Sequence, residues 1–340
     1  MDNTVENVQT QDGVSQGRIF DVERDFGGDL EAAIAAADDG DKVMLGRRTY
    51  TTDGLYIEKA ITLDGFSEGT VIDGGGTDSA IITLSSSASG ATIRDLEITD
   101  GNIGISVEDA TDVRLDDLEI HNIGIDGVNR QGQNNIGVRL LGADRFRLTD
   151  TDIYNVGRKG VGANDLDGGI ISGLTIEDVN LDAQHAQSYD AAGIKLYNTN
   201  DVIVSENELS DINAFAIWSD VTSGTEIRDN LLTDVGNVFQ APEFNNFVDI
   251  GGIYNEKSYE SVIIGNTVTS VDGRIGFRST EFSTETMVIQ DNDFDTLEIN
   301  TEDFWANERA ERLIAITEDP DAANFDLYAD DFFAEAIITD

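Results

Sequence analysis

The sequence contains no cysteine and only two prolines and two histidines among its 340 residues. The absence of cysteine excludes disulfide bonds, thiolate metal sites and a cysteine nucleophile. No apolar run reaches the roughly 18 residues that a transmembrane helix needs. The first 17 residues, "MDNTVENVQTQDGVSQG", lack the basic and then apolar pattern of a signal peptide. These absences predict a soluble, folded chain.

Basic residues are also scarce, with 21 lysines and arginines against 67 aspartates and glutamates, a net charge of −46. The negative electrostatic field of such a chain repels nucleic acids and anionic membranes, so we expect neither as a partner. The self-repulsion weakens a fold at low ionic strength, because only screening by salt relieves it. We therefore expect a secreted or cell-surface protein from a halophilic or marine setting. The oligomeric state is left open.

Short apolar phrases recur along the chain with a base period of about 24 residues, and three coils are longer. A second alternating phrase, such as "VIVSENEL" or "VIIGNTV", follows each first phrase. Short strands with period-two alternation, separated by polar turns, predict an all-β parallel solenoid. The first phrases are "IGISV" (103–107), "IGVRL" (136–140), "VGAND" (161–165), "AGIKL" (192–196), "FAIWS" (215–219), "GGIYN" (251–255) and "IGFRS" (275–279).

The second phrases and the two ends of the chain give further predictions. Asparagines at equivalent places in successive coils predict a ladder of stacked amides in one turn. "LEAAIAAADD" predicts a short helix from Leu30 to Ala37 that covers the N-terminal end of the stack, and "DFWANERAERLIAI" (303–316) predicts a closing helix. The domain prediction is a flexible segment 1–17, a solenoid over 18–300 and an acidic capping segment over 301–340. The asparagines are Asn207, Asn230, Asn266 and Asn292.

The stretch "LEAAIAAADDGDKVMLGRRTYTTDGLYIEKAITLDGFSEGTVIDG", together with the repeats, resembles the right-handed parallel β-helix, or pectate-lyase-like, superfamily. The resemblance covers residues 18–300. It implies a single-stranded, right-handed parallel β-helix with a short N-terminal capping helix and a helical C-terminal segment. It implies a fold and no single function, because the superfamily includes lyases, hydrolases, epimerases, phage depolymerases and adhesins.

One row of outward-facing residues is the candidate ligand surface. The third and fifth residues of each first phrase face the core, so the fourth faces out. Glycines two residues earlier predict a floor that a ligand approaches, and Tyr197, Asp220 and Glu256 flank the row. Cations and aromatic rings suit an anionic sugar polymer, with Trp218 as a stacking platform. The fourth residues are Ser106, Arg139, Asn164, Lys195, Trp218, Tyr254 and Arg278.

The three longer coils have their extra residues just before the first phrase. Insertions on one side of a solenoid build a rim along a binding face. They bring His185, Tyr189 and Asp190 close to the row as further substrate-binding candidates. The insertions are "IDGVNRQGQNN" (125–135), "NLDAQHAQSYD" (180–190) and "NVFQAPEFNNFVD" (237–249).

Elimination or epimerisation of a uronate polysaccharide is the first chemical interpretation. It needs a cation at the sugar carboxylate, a base for the C5 proton and an acid for the leaving oxygen. Arg139 or Arg278 can supply the cation. The candidates for base and acid are Lys195, Lys257, Tyr189, Tyr254 and His185.

A narrower resemblance supports this interpretation. The phrase "NEKSYESVIIGNTVTSVDGRIGFRS" (255–279) is similar to the alginate lyase and chondroitinase B family, whose catalytic lysine lies in an "NKS"-like phrase and whose arginine follows one coil later. The resemblance implies that Lys257 and Arg278 are the catalytic pair and that alginate is a candidate substrate. The family's calcium-binding acidic pair would fall on Ile250 and Gly252, so Ca²⁺ is expected as a cofactor only if Asp249, Asp220 or Glu256 supplies the missing carboxylates.

Two other interpretations stay open. Asp220 and Glu256 fall in one column on neighbouring coils, close enough for the carboxylate pair of a retaining glycoside hydrolase. The third interpretation is a non-catalytic carbohydrate-binding or surface module. The unequal coil lengths count against a purely structural repeat, whose coils are more uniform.

Overall fold

The computed structural model describes residues 17–66, 69–125, 135–180, 191–213, 215–236, 250–270, 275–280, 287–294, 296–300, 313–317, 324–328 and 335–338. These residues form a stack of strands behind two short helices. No helix among them is long and apolar enough to span a bilayer.

The helices are α1 (Val22–Phe26) and α2 (Leu30–Ala36), and a 3₁₀ turn covers Ser86–Ala88. The strands are β1 (Ile19–Asp21), β2 (Lys42–Met44), β3 (Thr49–Thr51), β4 (Leu55–Ile57), β5 (Thr62–Asp64), β6 (Val71–Leu84), β7 (Thr92–Glu108), β8 (Arg114–Ile123), β9 (Ile136–Leu141), β10 (Phe146–Thr149), β11 (Asp152–Val156), β12 (Lys159–Ser172), β13 (Thr175–Val179), β14 (Ala192–Ser205), β15 (Glu208–Ile212), β16 (Phe215–Asp220), β17 (Glu226–Arg228), β18 (Leu231–Val235), β19 (Ile250–Glu256), β20 (Val262–Ile264), β21 (Thr267–Ser270), β22 (Ile275–Thr280), β23 (Met287–Gln290), β24 (Asp293–Phe294), β25 (Thr296–Asn300), β26 (Leu313–Thr317), β27 (Asn324–Tyr328) and β28 (Glu335–Ile338).

Each repeated coil has three faces, which we number in chain order. In one coil, β14 runs along face 1 and bends onto face 2, and β15 forms face 3. Face 1 of this coil pairs in parallel with β12 before it and β16 after it. Ile194 and Leu196 alternate inward on face 1 and are fully buried. Stacked apolar side chains from all three faces therefore form one continuous core, as the repeat pattern predicts.

Helix α2 covers the N-terminal end of this core, and the prediction of a helix there is confirmed. Asp29 caps it by accepting a 2.9 Å hydrogen bond from the Ala32 amide. Leu30, Ala33 and Ile34 are buried in the same cluster as the strand residues. The apolar ends of the first coil are thereby shielded from solvent and from pairing with another chain.

The amide ladder is also confirmed and lies in the turn between faces 2 and 3. The Nδ2 of Asn207 donates to the Oδ1 of Asn230 over 2.9 Å, and that of Asn230 donates to Asn266 over 2.8 Å. Asn266 continues the series to Asn292 over 2.9 Å. Each amide joins two coils, so the ladder fixes both the turn conformation and the register of the stack.

The predicted closing helix over 303–316 is wrong at residues 313–316. These belong to β26, which pairs in parallel with β23 on one side and β28 on the other. The sequence "LIAIT" is rich in β-branched residues, which favour a strand when a sheet edge is available for pairing. Parallel pairing therefore continues past residue 300, and the predicted boundary there stays a prediction. The predicted N-terminal segment falls outside the described residues except for Gly17.

Turn geometry accounts for part of the acidic composition. In the part of the chain that the structure describes, 23 non-glycine residues have positive φ, of which 13 are aspartate and five are asparagine. Short polar side chains tolerate the left-handed region because they hydrogen-bond locally. Asp117 and Asp150 occupy the same corner of adjacent coils, so like charges are stacked along the turns. Many carboxylates therefore stand where the turn conformation favours a short polar residue, and the fold must tolerate the repulsion between them.

We expect the thermal unfolding midpoint to rise by at least about 5 °C between low and molar NaCl, because salt screens the repulsion between stacked carboxylates. Circular dichroism at fixed pH measures the midpoint. Sucrose, which does not screen charge, is the control for general solute exclusion. A midpoint that does not respond to NaCl would contradict the predicted salt adaptation.

Candidate functional site

Two rows of side chains run along the outside of face 1, perpendicular to the strands. Row A and row B are defined by backbone pairing from coil to coil, and neighbours in a row lie about 4.8 Å apart. Row A consists of Ser106, Arg139, Gly162, Lys195, Trp218, Tyr254 and Arg278. Row B consists of Glu108, Leu141, Asn164, Tyr197, Asp220, Glu256 and Thr280.

The predicted row is correct except at one coil. Asn164 lies in row B, and Gly162 takes its place in row A between Arg139 and Lys195. The phrase "VGAND" offers two core residues, since both Val161 and Ala163 are fully buried. Alternation alone cannot choose between registers that differ by two residues.

The predicted glycine floor is wrong. A Cβ on Gly137 would lie 2.7 Å from the Gly160 carbonyl oxygen and 2.8 Å from Cγ2 of Ile153, a fully buried residue. Gly104 and Gly193 make equivalent approaches. These glycines therefore face the core at the corner between faces 3 and 1, where a side chain does not fit. They leave no shelf for a ligand.

Arg139 is held at the start of the rows by two residues of the preceding coil. Its Nη2 lies 2.7 Å from the Oε1 of Glu108, and its Nε donates to the Oγ of Ser106 over 3.0 Å. The side chain remains 29% exposed. These bonds fix the direction of the guanidinium and leave part of it accessible to an anionic group.

Lys195 is packed against aromatic rings and a carboxylate. Its Nζ lies 3.3 Å from the ring centroid of Trp218 and 5.8 Å from that of Tyr197. The Oδ2 of Asp220 is 3.8 Å away, and the lysine side chain is only 8% exposed. A cation–π contact of this kind is worth about 2 kcal/mol when it is desolvated. The Lys195 side chain is therefore held in one position.

Trp218 belongs to a small aromatic cluster outside the main core. Its ring centroid lies 4.8 Å from that of Phe215 and 5.8 Å from that of Tyr254. Trp218 is 6% exposed and Tyr254 is 3% exposed. The tryptophan ring thus lacks the open face that a sugar platform requires. Tyr197 in row B is 43% exposed and has that face.

Asp220 and Glu256 are register neighbours in row B, as predicted. Each carboxylate already has a lysine beside it, because the Nζ of Lys257 lies 3.1 Å from the Oε1 of Glu256 and Lys195 approaches Asp220. Both carboxylates are mostly buried, with 11% of the Glu256 side chain and 13% of the Asp220 side chain exposed. Each of the two carboxylates is therefore already in an ion pair with a lysine.

Lys257 and Arg278 lie on adjacent coils. Lys257 follows the last residue of β19 with a φ of 49°, and its side chain is 44% exposed. Arg278 pairs with Tyr254, three residues before Lys257. The two residues are thus separated by one coil and by about 10 Å along the strand direction. His185, Tyr189 and Asp190 lie outside the described residues.

Lys159 is a face 1 residue that the repeat pattern did not predict. It pairs with Ile136 on one side and Ala192 on the other, so it begins face 1 of its coil. It is 5% exposed, and the neighbouring Arg158 is 4% exposed. Beginning this phrase two residues earlier, at "KGVGAN", would have identified Lys159 as a face 1 residue.

A calcium site like that of the alginate lyase and chondroitinase B family does not fit this chain. Ile250 and Gly252 stand where that resemblance places the acidic pair. Among the residues that the structure describes, no three acidic or histidine side chains converge to hold a metal ion. Asp220 and Glu256 each face an ammonium group, and Asp249, the other carboxylate that could substitute, lies outside the described residues.

Comparison with known proteins gives one family and several similar structures. The family model described as "Right handed beta helix region" matches residues 79–294. An alginate lyase from Paenibacillus sp. is 17% identical with a TM-score of 0.62, over 84% of this chain and 99% of that one. Pectate lyase Pel9A is 16% identical with a TM-score of 0.51, over 83% and 79%.

A third structure comes from a phage. The enzymatically active domain of tailspike protein 2 from bacteriophage CBA120 is 12% identical with a TM-score of 0.55, over 85% of this chain and 50% of that one. No curated protein sequence matches the chain. At these identities the structural likeness shows the fold alone.

Proposed function

Since the chain belongs to the right-handed β-helix family, we propose that it is a carbohydrate-active enzyme, a lyase that cleaves an acidic, uronate-containing polysaccharide such as alginate by β-elimination. The observation that carries the proposal is the alignment of Lys195, Trp218, Tyr254 and Arg278 on adjacent strands of face 1, with Lys257 at its edge. Cations in such a row offer partners to the carboxylates of an anionic polymer that the net charge of −46 otherwise repels. The cations on or next to face 1 are Arg139, Lys159, Lys195, Lys257 and Arg278.

The proposed reaction assigns the chemistry to the end of face 1 near β19 and β22. A base removes the proton from C5, its electron pair forms the C4–C5 double bond, and the C4–oxygen bond breaks with protonation of the leaving oxygen. Lys257 is half exposed and is the proposed base, a role that requires the neutral amine and therefore the loss of its ion pair with Glu256 when substrate binds. Arg278 is the proposed cation that stabilises charge developing on the carboxylate. Tyr254, an acid candidate from the sequence, is in register with Arg278 but only 3% exposed, so we propose that water protonates the leaving oxygen.

Polymer substrates place the enzyme in the medium or on the cell surface, and we propose that location. The test is incubation with alginate, pectate and chondroitin sulfate in high salt. Growth of the ultraviolet absorbance of the unsaturated product supports elimination. New reducing ends without that absorbance refute it and indicate hydrolysis. Binding with neither product refutes both reactions and indicates a carbohydrate-binding module.

Hydrolysis by Asp220 and Glu256 is the second candidate, favoured by their register on neighbouring coils. Asp220→Asn separates the two chemistries. A lyase should lose less than about tenfold in kcat/KM, because only the ion pair to Lys195 is weakened, whereas a hydrolase that needs the pair should lose about 10³-fold. Leu141→Ala, a change at an exposed row B residue, is the matched control for general disturbance of the surface.

A further inference from the structure

The corner that ends face 1 is left-handed in each coil from β7 to β19. The residue that follows row B has a φ between 49° and 60° in these coils. In the first four coils it is an aspartate, a glycine or an asparagine, which tolerate this conformation. In the coils of β16 and β19 it is Val221 and Lys257, side chains for which the conformation is strained. The corner residues are Asp109, Gly142, Asp165, Asn198, Val221 and Lys257.

The core next to this corner changes from apolar to polar in the same part of the stack. The inward residue between rows A and B is apolar from β7 to β14 and polar from β16 to β22, and the polar ones are at most 1% exposed. Burying hydroxyl and amide groups costs stability unless they are hydrogen-bonded. The earlier coils show that apolar residues fit here, so the polar ones have a local role. The inward residues are Val107, Leu140, Ala163, Leu196, Ser219, Asn255 and Ser279.

Ser258 connects this polar core to the backbone of Lys257. Ser258 is 2% exposed, and its Oγ donates to the Glu256 carbonyl oxygen over 2.8 Å. The same carbonyl oxygen accepts from the Val221 amide over 3.0 Å. The Thr222 amide donates to the Ser258 Oγ over 3.2 Å. The peptide that leads into Lys257 is therefore fixed both by its own coil and by the preceding one.

Ser219 supports Ser258 and Thr222 from the core side. Its Oγ lies 2.7 Å from the Oγ1 of Thr222 and 3.5 Å from the Oγ of Ser258. All three side chains are at most 2% exposed. A displaced member of a buried network leaves its partners unsatisfied, so the network resists deformation. Buried hydroxyl groups thus hold the strained corner from within the core.

We propose that Ser258 is a positioning residue for the proposed elimination and acts by holding the Lys257 backbone in its left-handed conformation. The inference rests on the proposed function and deepens it. The Nζ of Lys257 must leave Glu256 for the C5 proton when substrate binds, and a fixed backbone limits where that Nζ can go. A corner that relaxed to an unstrained conformation would turn the lysine side chain away from row B.

The experiment compares Ser258→Ala with Ser258→Thr in steady-state elimination of alginate. Ser258→Ala should lower kcat at least about tenfold and change KM less than about twofold, because the base is misplaced while the substrate contacts remain. Ser258→Thr should restore most of the kcat, since Thr222 occupies the equivalent position one coil earlier.

Ser205→Ala is the matched control. It also removes a buried serine hydroxyl, one bonded to Ser172 over 3.2 Å, but Ser205 lies at the end of β14 on face 2. It should leave kcat within about twofold. Circular dichroism shows whether each variant is folded. If Ser258→Ala does not fold, Ser219→Ala takes its place and should also lower kcat, because Ala163 shows that alanine fits that core position.

A second measurement does not need turnover. Trace acetylation followed by peptide mass spectrometry gives the reactivity of Lys257 relative to that of Lys42 in the same sample. Ser258→Ala should raise this ratio at least about twofold, because a looser corner weakens the ion pair between the Lys257 Nζ and Glu256. Ser205→Ala should leave the ratio unchanged.

The outcomes separate the positioning role from the enzyme. If Ser258→Ala is folded and keeps the kcat of the unaltered chain, the positioning role is refuted and the lyase stands. A loss of kcat that Ser205→Ala shares, or that Ser258→Thr does not restore, also refutes it. If the unaltered chain cleaves no substrate, the lyase is refuted and the acetylation ratio decides: a rise supports the hold of Ser258 on Lys257, and an unchanged ratio refutes it.

Discussion

Replacing Lys257 by alanine is expected to lower kcat/KM for elimination by about 10³-fold, because the proposed base for the C5 proton is lost. Loss of the Glu256 ion pair adds little, since a half-exposed pair contributes less than about 1 kcal/mol. The side chain lies outside the core, so the fold should survive. The measurement is the initial rate of formation of unsaturated product, with the circular dichroism spectrum recorded in parallel.

Lys42→Ala is the matched control for this prediction. Lys42 is a partly exposed lysine that also has a carboxylate partner, Asp64, but it lies on β2, away from face 1. Its replacement should leave kcat/KM within about twofold. If Lys257→Ala remains folded and turns over at the unaltered rate, Lys257 has no part in the reaction. Arg278 would then be the next residue to replace.

Replacing Asn230 by alanine is expected to lower the free energy of unfolding by about 3–5 kcal/mol. Asn230 is 2% exposed, and its Oδ1 accepts from both the backbone and the side-chain amide of Asn207. Its Nδ2 donates to the Val204 carbonyl and to Asn266. Alanine leaves the Asn207 backbone amide without its acceptor and removes the side-chain donor to the Val204 carbonyl, while the Asn207 Nδ2 and the Asn266 Oδ1 each lose one of two bonds. Urea unfolding followed by fluorescence and circular dichroism measures the loss.

Asn200→Ala is the control, because Asn200 is an exposed asparagine on β14, outside the ladder. It should change stability by less than about 0.5 kcal/mol. Equal stability losses in the two variants would mean that the ladder is no more than a consequence of coil stacking. A loss confined to Asn230→Ala would show that the amides hold the turn between faces 2 and 3.

The ladder and most of row A were predictable because they depend on periodicity. A repeated coil puts equivalent residues one strand spacing apart, so Asn207 and Asn230 must meet if the stack forms. The same argument put Lys195 beside Trp218 and Tyr254 beside Arg278. These contacts follow from counting residues between apolar phrases, which the chain itself displays.

The place of Gly162 in row A and the burial of Trp218 were not predictable in the same way. Val161 and Ala163 both lie in the core, and only pairing with the neighbouring coils shows that Val161 is the one that aligns with Val138 and Ile194. Burial of an outward residue depends on what packs over it. The side chains that pack against Trp218 and bury it are Lys195, Phe215 and Tyr254.

The sequence alone determined that this chain winds into a parallel β-helix with a capped N-terminus, an amide ladder and a cationic row in an acidic molecule. Alternation and repeat length encode those features locally. The tertiary structure decided which glycines face the core, which aromatic ring stays open and where Lys159 lies. These depend on the registration of each coil against the next, and a two-residue shift there preserves the inward and outward pattern while changing every neighbour.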